Sequence, residues 1–245
     1  MTHILGISAG YHDAAAAIVS DRGDIVFAGH SERYCGHKHT KHLCIGLIDD
    51  AMQYIDNRQD VEIHYYERPW MKFLRQMRTG ENPKLANLFP KEIIGRGLVH
   101  KLQDGRGGKV HTHNHHLSHA AAGFQTSPFT YATVVVIDAI GEADTISIYR
   151  ARYNPDGRAE YTQLWKQTYP HSIGLFYTAM TERVGLRPME DEYVLMGMAA
   201  YGNRSIASII SQDYITHEYE IKFGDNFHTG VDPGYQPPAP AGRWP

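Results

Sequence analysis

The alternation of apolar runs and turn residues divides the chain before any single residue stands out. Ile4-Leu5-Gly6-Ile7-Ser8, Ala14 to Ser20 and Ile25-Val26-Phe27-Ala28 are short apolar segments. They are separated by Gly10-Tyr11-His12-Asp13 and Asp21-Arg22-Gly23-Asp24, so they read as three strands joined by turns. The alanine run suits a helix by composition, but turn residues on both sides favour a strand. From His42 to Asn57, Leu43, Leu47, Ile48, Ala51, Met52 and Ile55 fall near one helical face. Val61 to Tyr66 reads as a strand, and residues 67 to 110 as irregular, basic and punctuated by Gly and Pro.

The opening pattern then returns. Thr133 to Asp138, Thr145 to Arg150 and Tyr161 to Tyr169 are strands, with turns at Ala139 to Asp144 and Asn154 to Gly157. A β-turn-β-turn-β unit thus occurs twice, roughly 130 residues apart, a separation that points to a duplicated domain rather than a solenoid. Ser172 is placed to cap a helix running to Val184 before Gly185, and Asp191 to Tyr201 predicts a second helix ending at Gly202. The expected organisation is a first lobe with insertions over 1–130, a partial second lobe over 131–230, and a Pro/Gly-rich tail over 231–245.

Composition narrows the function classes. The 245 residues are 42% hydrophobic and 21% charged, as expected of a folded globular chain. The formal net charge of -3 gives no electrostatic case for nucleic acid. No apolar run is long enough for a membrane span, and the start lacks the basic segment of an export signal. Two cysteines, Cys35 and Cys44, fit a reducing compartment, so a cytoplasmic location is expected. The unusual number is 16 histidines.

Five of them lie in His111-Thr112-His113-Asn114-His115-His116-Leu117-Ser118-His119. From Asn114 this stretch reads as a helix, where His115 and His119 at i and i+4 share a face. That spacing suits two ligands of one divalent metal, and equally a surface histidine pair. Asp138, ending an apolar strand where the chain turns, is a candidate third ligand. The turns Gly10 to Asp13 and Gly141 to Asp144 occupy matching places in the two repeats. Each is an ordinary hairpin connection or a place where backbone N–H groups meet phosphate. Arg33, Lys38, His39 and Lys41 form either a solvated basic loop or a holder of anionic groups.

Together these residues resemble the O-carbamoyltransferase family of antibiotic and nodulation-factor carbamoyltransferases. The matching blocks are Ile4-Leu5-Gly6-Ile7 with Gly10-Tyr11-His12-Asp13-Ala14-Ala15, Ser31-Glu32-Arg33 with Lys38-His39, and His115-His116-Leu117-Ser118-His119-Ala120. Val136-Ile137-Asp138 with Gly141-Glu142, Ser172 to Tyr177, and Glu192-Tyr193 with Met196 to Gly202 complete the set. Six blocks in order are specific where no single one is. Gly36-His37 and Val194 depart from the residues the family commonly shows there.

The resemblance implies an α/β fold of the actin-like ATPase (ribonuclease H-like) type, a duplicated β-β-β-α arrangement with its second lobe incomplete. It implies a divalent transition metal, iron, zinc or manganese, on His115, His119 and Asp138. It implies ATP-derived carbamoyl-adenylate as donor, transfer of its carbamoyl group to a hydroxylated small-molecule acceptor, and a C-terminal adenylate-forming domain supplied in cis or trans. Within that scheme His12 or Asp13 is the expected acid–base group. Arg33 and Lys38 are expected on carbamoyl or phosphate oxygens, and Gly141, Glu142 and Thr145 on the nucleotide. An actin-like ATPase or sugar kinase shares the two phosphate turns, but magnesium-dependent phosphoryl transfer prefers oxygen ligands over a histidine pair. A non-catalytic truncated remnant is the remaining reading.

Overall fold

The structure, a computed structural model, describes residues 3–55, 61–80, 82–102, 109–205, 207–217, 221–224 and 226–228. The tail expected over 231–245 lies outside the described residues. The chain divides into two compact units, Met1–Ser118 and His119–Pro245.

In the first unit, alternation between core and solvent turns the opening segments into strands β1 (His3–Ser8), β2 (Ala15–Ser20) and β3 (Ile25–His30). They form an antiparallel meander, and β4 (Val61–Tyr65) and β5 (Val110–Thr112) extend it in parallel on the β1 side. The five-stranded mixed sheet has the order β3-β2-β1-β4-β5. One face supplies Leu5, Ile7, Ala16, Ile18, Val61, Ile63 and Tyr65 to the core. Leu47, Ile48 and Ala51 of helix α2 (Ile45–Ala51) pack into the same core, following a short α1 (Glu32–Cys35). The helix expected from His42 to Asn57 is shorter than its apolar stripe and ends in a 3-10 turn over Met52–Tyr54.

Among the described residues, the stretch expected to be irregular contains three α-helices, α3 (Pro69–Arg78), α4 (Pro90–Ile94) and α5 (Arg96–Leu102), and a 3-10 turn over Leu85–Leu88. Two of its three prolines are helix starts, not breaks. Pro69 and Pro90 stand in the first turns, where no amide hydrogen is needed. Gly80 and Gly95, at φ 78° and 103°, follow the ends of α3 and α4.

In the second unit, helix α6 (His115–Gln125) begins one turn before the division. It leads to a three-stranded antiparallel meander, β6 (Tyr131–Gly141), β7 (Asp144–Tyr153) and β8 (Ala159–Thr168), in the order β6-β7-β8. The strand order repeats that of β1 to β3, on longer strands. Helix α7 (Ile173–Arg183) follows, capped by Ser172, whose Oγ accepts the Leu175 N–H at 3.1 Å. Then come α8 (Glu192–Met198), which a 3-10 turn extends through Tyr201, α9 (Ala207–Tyr214), β9 (Ile215–His217) and β10 (Lys222–Phe223). Phe176 of α7 stacks on Phe223 at 5.2 Å between ring centroids and meets Phe227 at 5.3 Å, giving this unit its own aromatic core. No helix among the described residues is long and apolar enough to cross a membrane.

Candidate active-site residues

Helix α6 is fixed at its start before any polar group is presented. Asn114 Oδ1 accepts the Leu117 N–H at 2.8 Å, and the Ser118 hydroxyl reaches the Tyr66 carbonyl at 2.9 Å. His116, Ala120 and Phe124 are buried. This burial rolls His115 and His119 to another face, one turn apart on one continuous helix. His119 is half exposed, and its Nε2 lies 3.8 Å from Asp138 Oδ2. Asp138 is aimed from behind: its Oδ1 accepts the Ala139 N–H at 2.7 Å. Ser172 Oγ lies 2.6 Å from the Ala139 carbonyl. Gly174 of α7 lies so close that a Cβ would stand 2.7 Å from Ala139 N and 2.8 Å from Asp138 C. One ligating atom from each of His115, His119 and Asp138 falls within 4.8 Å of the other two. Two imidazoles and a carboxylate suit zinc, iron or manganese, so the residues present fit the expected ion.

Glu67, which the sequence reading did not single out, stands behind His115. Its Oε2 lies 3.6 Å from His115 Nδ1, and its Oε1 accepts from Lys72 Nζ at 2.9 Å. The Tyr65 hydroxyl, 2.6 Å from the Ala9 carbonyl, is 3.3 Å from the same Oε1. Burial alone raises the Glu67 pKa, but His115 and Lys72 outweigh it and hold the carboxyl below its usual range. A carboxylate on the far nitrogen of a ligating histidine orients the ring and raises its basicity. The available signal was a carboxylate just past the end of an apolar strand, the same signal that marked Asp138.

The turn after β1 gathers a second group. Gly10 at φ 92° and Asp13 at φ 48° bend the backbone, and a Cβ on Gly10 would meet Ile93 at 2.4 Å. The Gly10 and Ala14 N–H groups donate to the Lys41 and Thr40 carbonyls, each at 2.8 Å, which lays the basic loop along the turn. Asp13 thereby holds two imidazoles, His12 Nδ1 at 2.6 Å from Oδ2 and His39 Nδ1 at 3.1 Å from Oδ1. Burial pushes the Asp13 pKa up, but hydrogen bonds and charge from His12 and His39 prevail and lower it. Lys72 Nζ sits 5.3 Å from the centre of the Tyr11 ring. Arg33, beside Glu32 at 4.0 Å, and Lys38 are exposed.

In the second unit, Glu142 and Ala143 connect β6 to β7, with Glu142 buried at φ 62° and Gly141 paired with Asp144. Lys166 pairs with Asp144 at 3.0 Å. Thr145 is fully buried, and its hydroxyl donates to the His171 carbonyl at 2.6 Å, beneath the turn.

Residues 3–230 match the carbamoyltransferase N-terminus family, and the chain belongs to it. A protein of uncharacterised function from Synechocystis sp. is 34% identical over 235 residues, 86% of this chain and 36% of its own length. The nodulation protein NolNO of Sinorhizobium fredii is 29% identical over 202 residues, 78% of this chain and 28% of its own. The chain therefore spans about a third of the length of the curated relatives it matches. YeaZ from Pseudomonas aeruginosa aligns over 82% of this chain and 93% of its own at 13% identity, with a TM-score of 0.35, too low to bear on the fold.

Proposed function

We propose that this chain carries the transfer site of a carbamoyltransferase, passing a carbamoyl group from carbamoyl-adenylate to the hydroxyl of a small-molecule acceptor. We also infer that the two units belong to an actin-like duplicated fold. The order β3-β2-β1-β4-β5 and the second meander β6-β7-β8 support that reading. The observation that carries the function, beside family membership, is the His-His-Asp donor set on α6 and β6; the first unit carries a histidine–aspartate pair of its own on the turn after β1.

The residues divide the work as follows. Both Asp13 oxygens are already engaged by imidazole nitrogens, so Asp13 acts as the orienting group. It favours the tautomer of His12 with the proton on Nδ1, which leaves Nε2 as the base. The acceptor hydroxyl gives its proton to His12 Nε2 as its oxygen bonds to the carbamoyl carbon. The bond from that carbon to the adenylate oxygen breaks, AMP leaves with the electron pair, and His12 returns the proton to solvent. Arg33 and Lys38, both exposed, are the cations for the leaving phosphate. The turn at Gly141 and Glu142 is assigned to the nucleotide through its backbone, while Thr145, expected there from the sequence, is fully buried with its hydroxyl on the His171 carbonyl and holds the turn from within. A divalent ion held by His115, His119 and Asp138 would supply polarisation of the donor carbonyl or compensation of phosphate charge.

The test is a single-turnover assay with preformed carbamoyl-adenylate, following AMP and carbamate esters against water and a panel of polyols. His12→Ala should slow AMP release by about 10²- to 10⁴-fold, the range for loss of general-base help. Equal rates for wild type, His12→Ala and His119→Ala would overturn the reading.

A further inference from the structure

The first unit holds a separate group of side chains of metal-ligating type, on the face of its sheet opposite the core. β4 and β5 run parallel with His64 opposite His111. Glu62 lies two residues before His64 and His113 two after His111, so the period of two places all four on one face. The reverse face of the same strands is the buried one, with Val61, Ile63, Tyr65 and Val110 in the core. The His64 ring lies nearly parallel to both others, its centre 4.9 Å from that of His111 and 5.0 Å from that of His113. Its two nitrogens face different partners. Nδ1 is 2.7 Å from His113 Nε2, while Nε2 is 3.4 Å from Glu62 Oε2. One ligating atom from each of Glu62, His64 and His111 falls within 4.8 Å of the other two.

We propose that Glu62, His64 and His111 form a second divalent transition-metal site, with His113 orienting His64. A proton on His64 Nδ1, donated to His113 Nε2, leaves the Nε2 lone pair on the Glu62 side, where an ion can take it. Two imidazoles and one carboxylate favour zinc, cobalt, nickel or copper over magnesium or calcium, which prefer all-oxygen shells. Three protein ligands also leave a position for water or an exogenous ligand. The ion would join β4 to β5, a strand of only three residues at the sheet edge. β5 leads through two residues into α6 and His115. A metal bound only by the folded chain would stabilise that edge by mass action. The site is independent of the carbamoyl-transfer reading, since none of its four residues is used there.

The experiment uses the tag-free full chain, stripped by chelator and titrated with Co²⁺, with bound cobalt read by visible absorption and elemental analysis. His119→Ala removes the other donor set, so the remaining ion can be counted by itself. His119→Ala should retain a single cobalt, and both His119→Ala/His111→Ala and His119→Ala/Glu62→Gln should lose it. Glu62 is exposed, so the glutamine variant reports ligation without disturbing the core. Adding His113→Ala to His119→Ala should weaken binding by about 10- to 100-fold without abolishing it, the usual effect of removing a ligand's hydrogen-bond partner. Failure of His119→Ala to bind cobalt would overturn the site. So would equal binding by His119→Ala and its His111→Ala and Glu62→Gln derivatives.

Discussion

Asp13 sits in the left-handed region with an imidazole on each carboxylate oxygen. Aspartate and asparagine both tolerate that backbone, so Asp13→Asn changes charge without new strain. The Asp13 pKa is lowered in the folded chain despite burial. It therefore lies below the unfolded value of about 3.9. The ionised form then adds stability that is fully present above the unfolded pKa and is lost as pH falls through the folded one. Asp13→Asn should lower the urea midpoint clearly at about pH 5, above both values, and progressively less as the carboxyl protonates in both states. A midpoint difference that stays constant down to acid would count against a charged Asp13. At the other donor set, Asp138 Oδ1 is held by the Ala139 amide while Oδ2 faces His119. His119→Ala and Asp138→Asn should each reduce cobalt bound by the full chain by one ion, measured by elemental analysis, because neighbouring groups do not replace a lost ligand.

Aim at the level of elements comes from how closely α7 approaches β6. Gly174 permits that approach: a methyl there would meet the backbone of Asp138 and Ala139, which cannot swing aside as a side chain can. Gly174→Ala should destabilise the chain by about 1–3 kcal/mol in thermal melts, as overpacking does, and weaken metal binding with it. Gly123, inside α6 with open space at its Cβ position, is the control. Gly123→Ala should be neutral or stabilising by about 0.5–1 kcal/mol, because it only removes the glycine penalty in a helix. Ser172→Ala should cost about 0.5–2 kcal/mol through loss of the cap. The strands that lead to these sites were legible because short apolar runs, Ile4 to Ile7 and Ala14 to Val19, are each bounded by turn residues. Helices α3 to α5 were not legible, since Pro69 and Pro90 read as breaks when only the fold shows them at helix starts. His115 and His119 could be read from local spacing alone. Glu67 offered only the strand-end signal that also marked Asp138, and its pairing with His115, 48 positions on, could not be read because no periodicity links the two. For the same reason the basic loop was visible as a loop, while the engagement of His39 by Asp13, 26 residues away, was not.

At the scale of the whole molecule, each unit has its own buried core. The first gathers Leu5, Ile18, Leu47, Ile48, Ile63, Tyr65, Val99 and Leu102, all at 1% exposure or less. The second centres on Leu175, Phe223 and Phe227 with Phe176 packed among them. Chains with more than one core need not unfold in one step, so a local lesson about stability should stay local. Ile63 provides the sharpest case. It lies fully buried on β4, between β1 and β5 in the sheet. Ile63→Ala removes three methyl or methylene carbons from a site bounded by a rigid sheet, and large-to-alanine truncation in a core costs about 2–5 kcal/mol. In hydrogen exchange resolved by peptide, that loss should raise exchange across β1, β2, β4 and β5. It should leave the β6-β7-β8 meander at its wild-type rate, because Ile63 belongs to the core of the first unit. Equal acceleration in both units would mean that they open as one cooperative body, and the second core would then be secondary to the first. Glu62 and His64 flank Ile63 on the opposite face, so saturating Co²⁺ should slow exchange at β4 and β5 in Ile63→Ala if the ion ties those strands. That rescue should vanish in Ile63→Ala/Glu62→Gln, where the cavity is the same and only the ligand is gone.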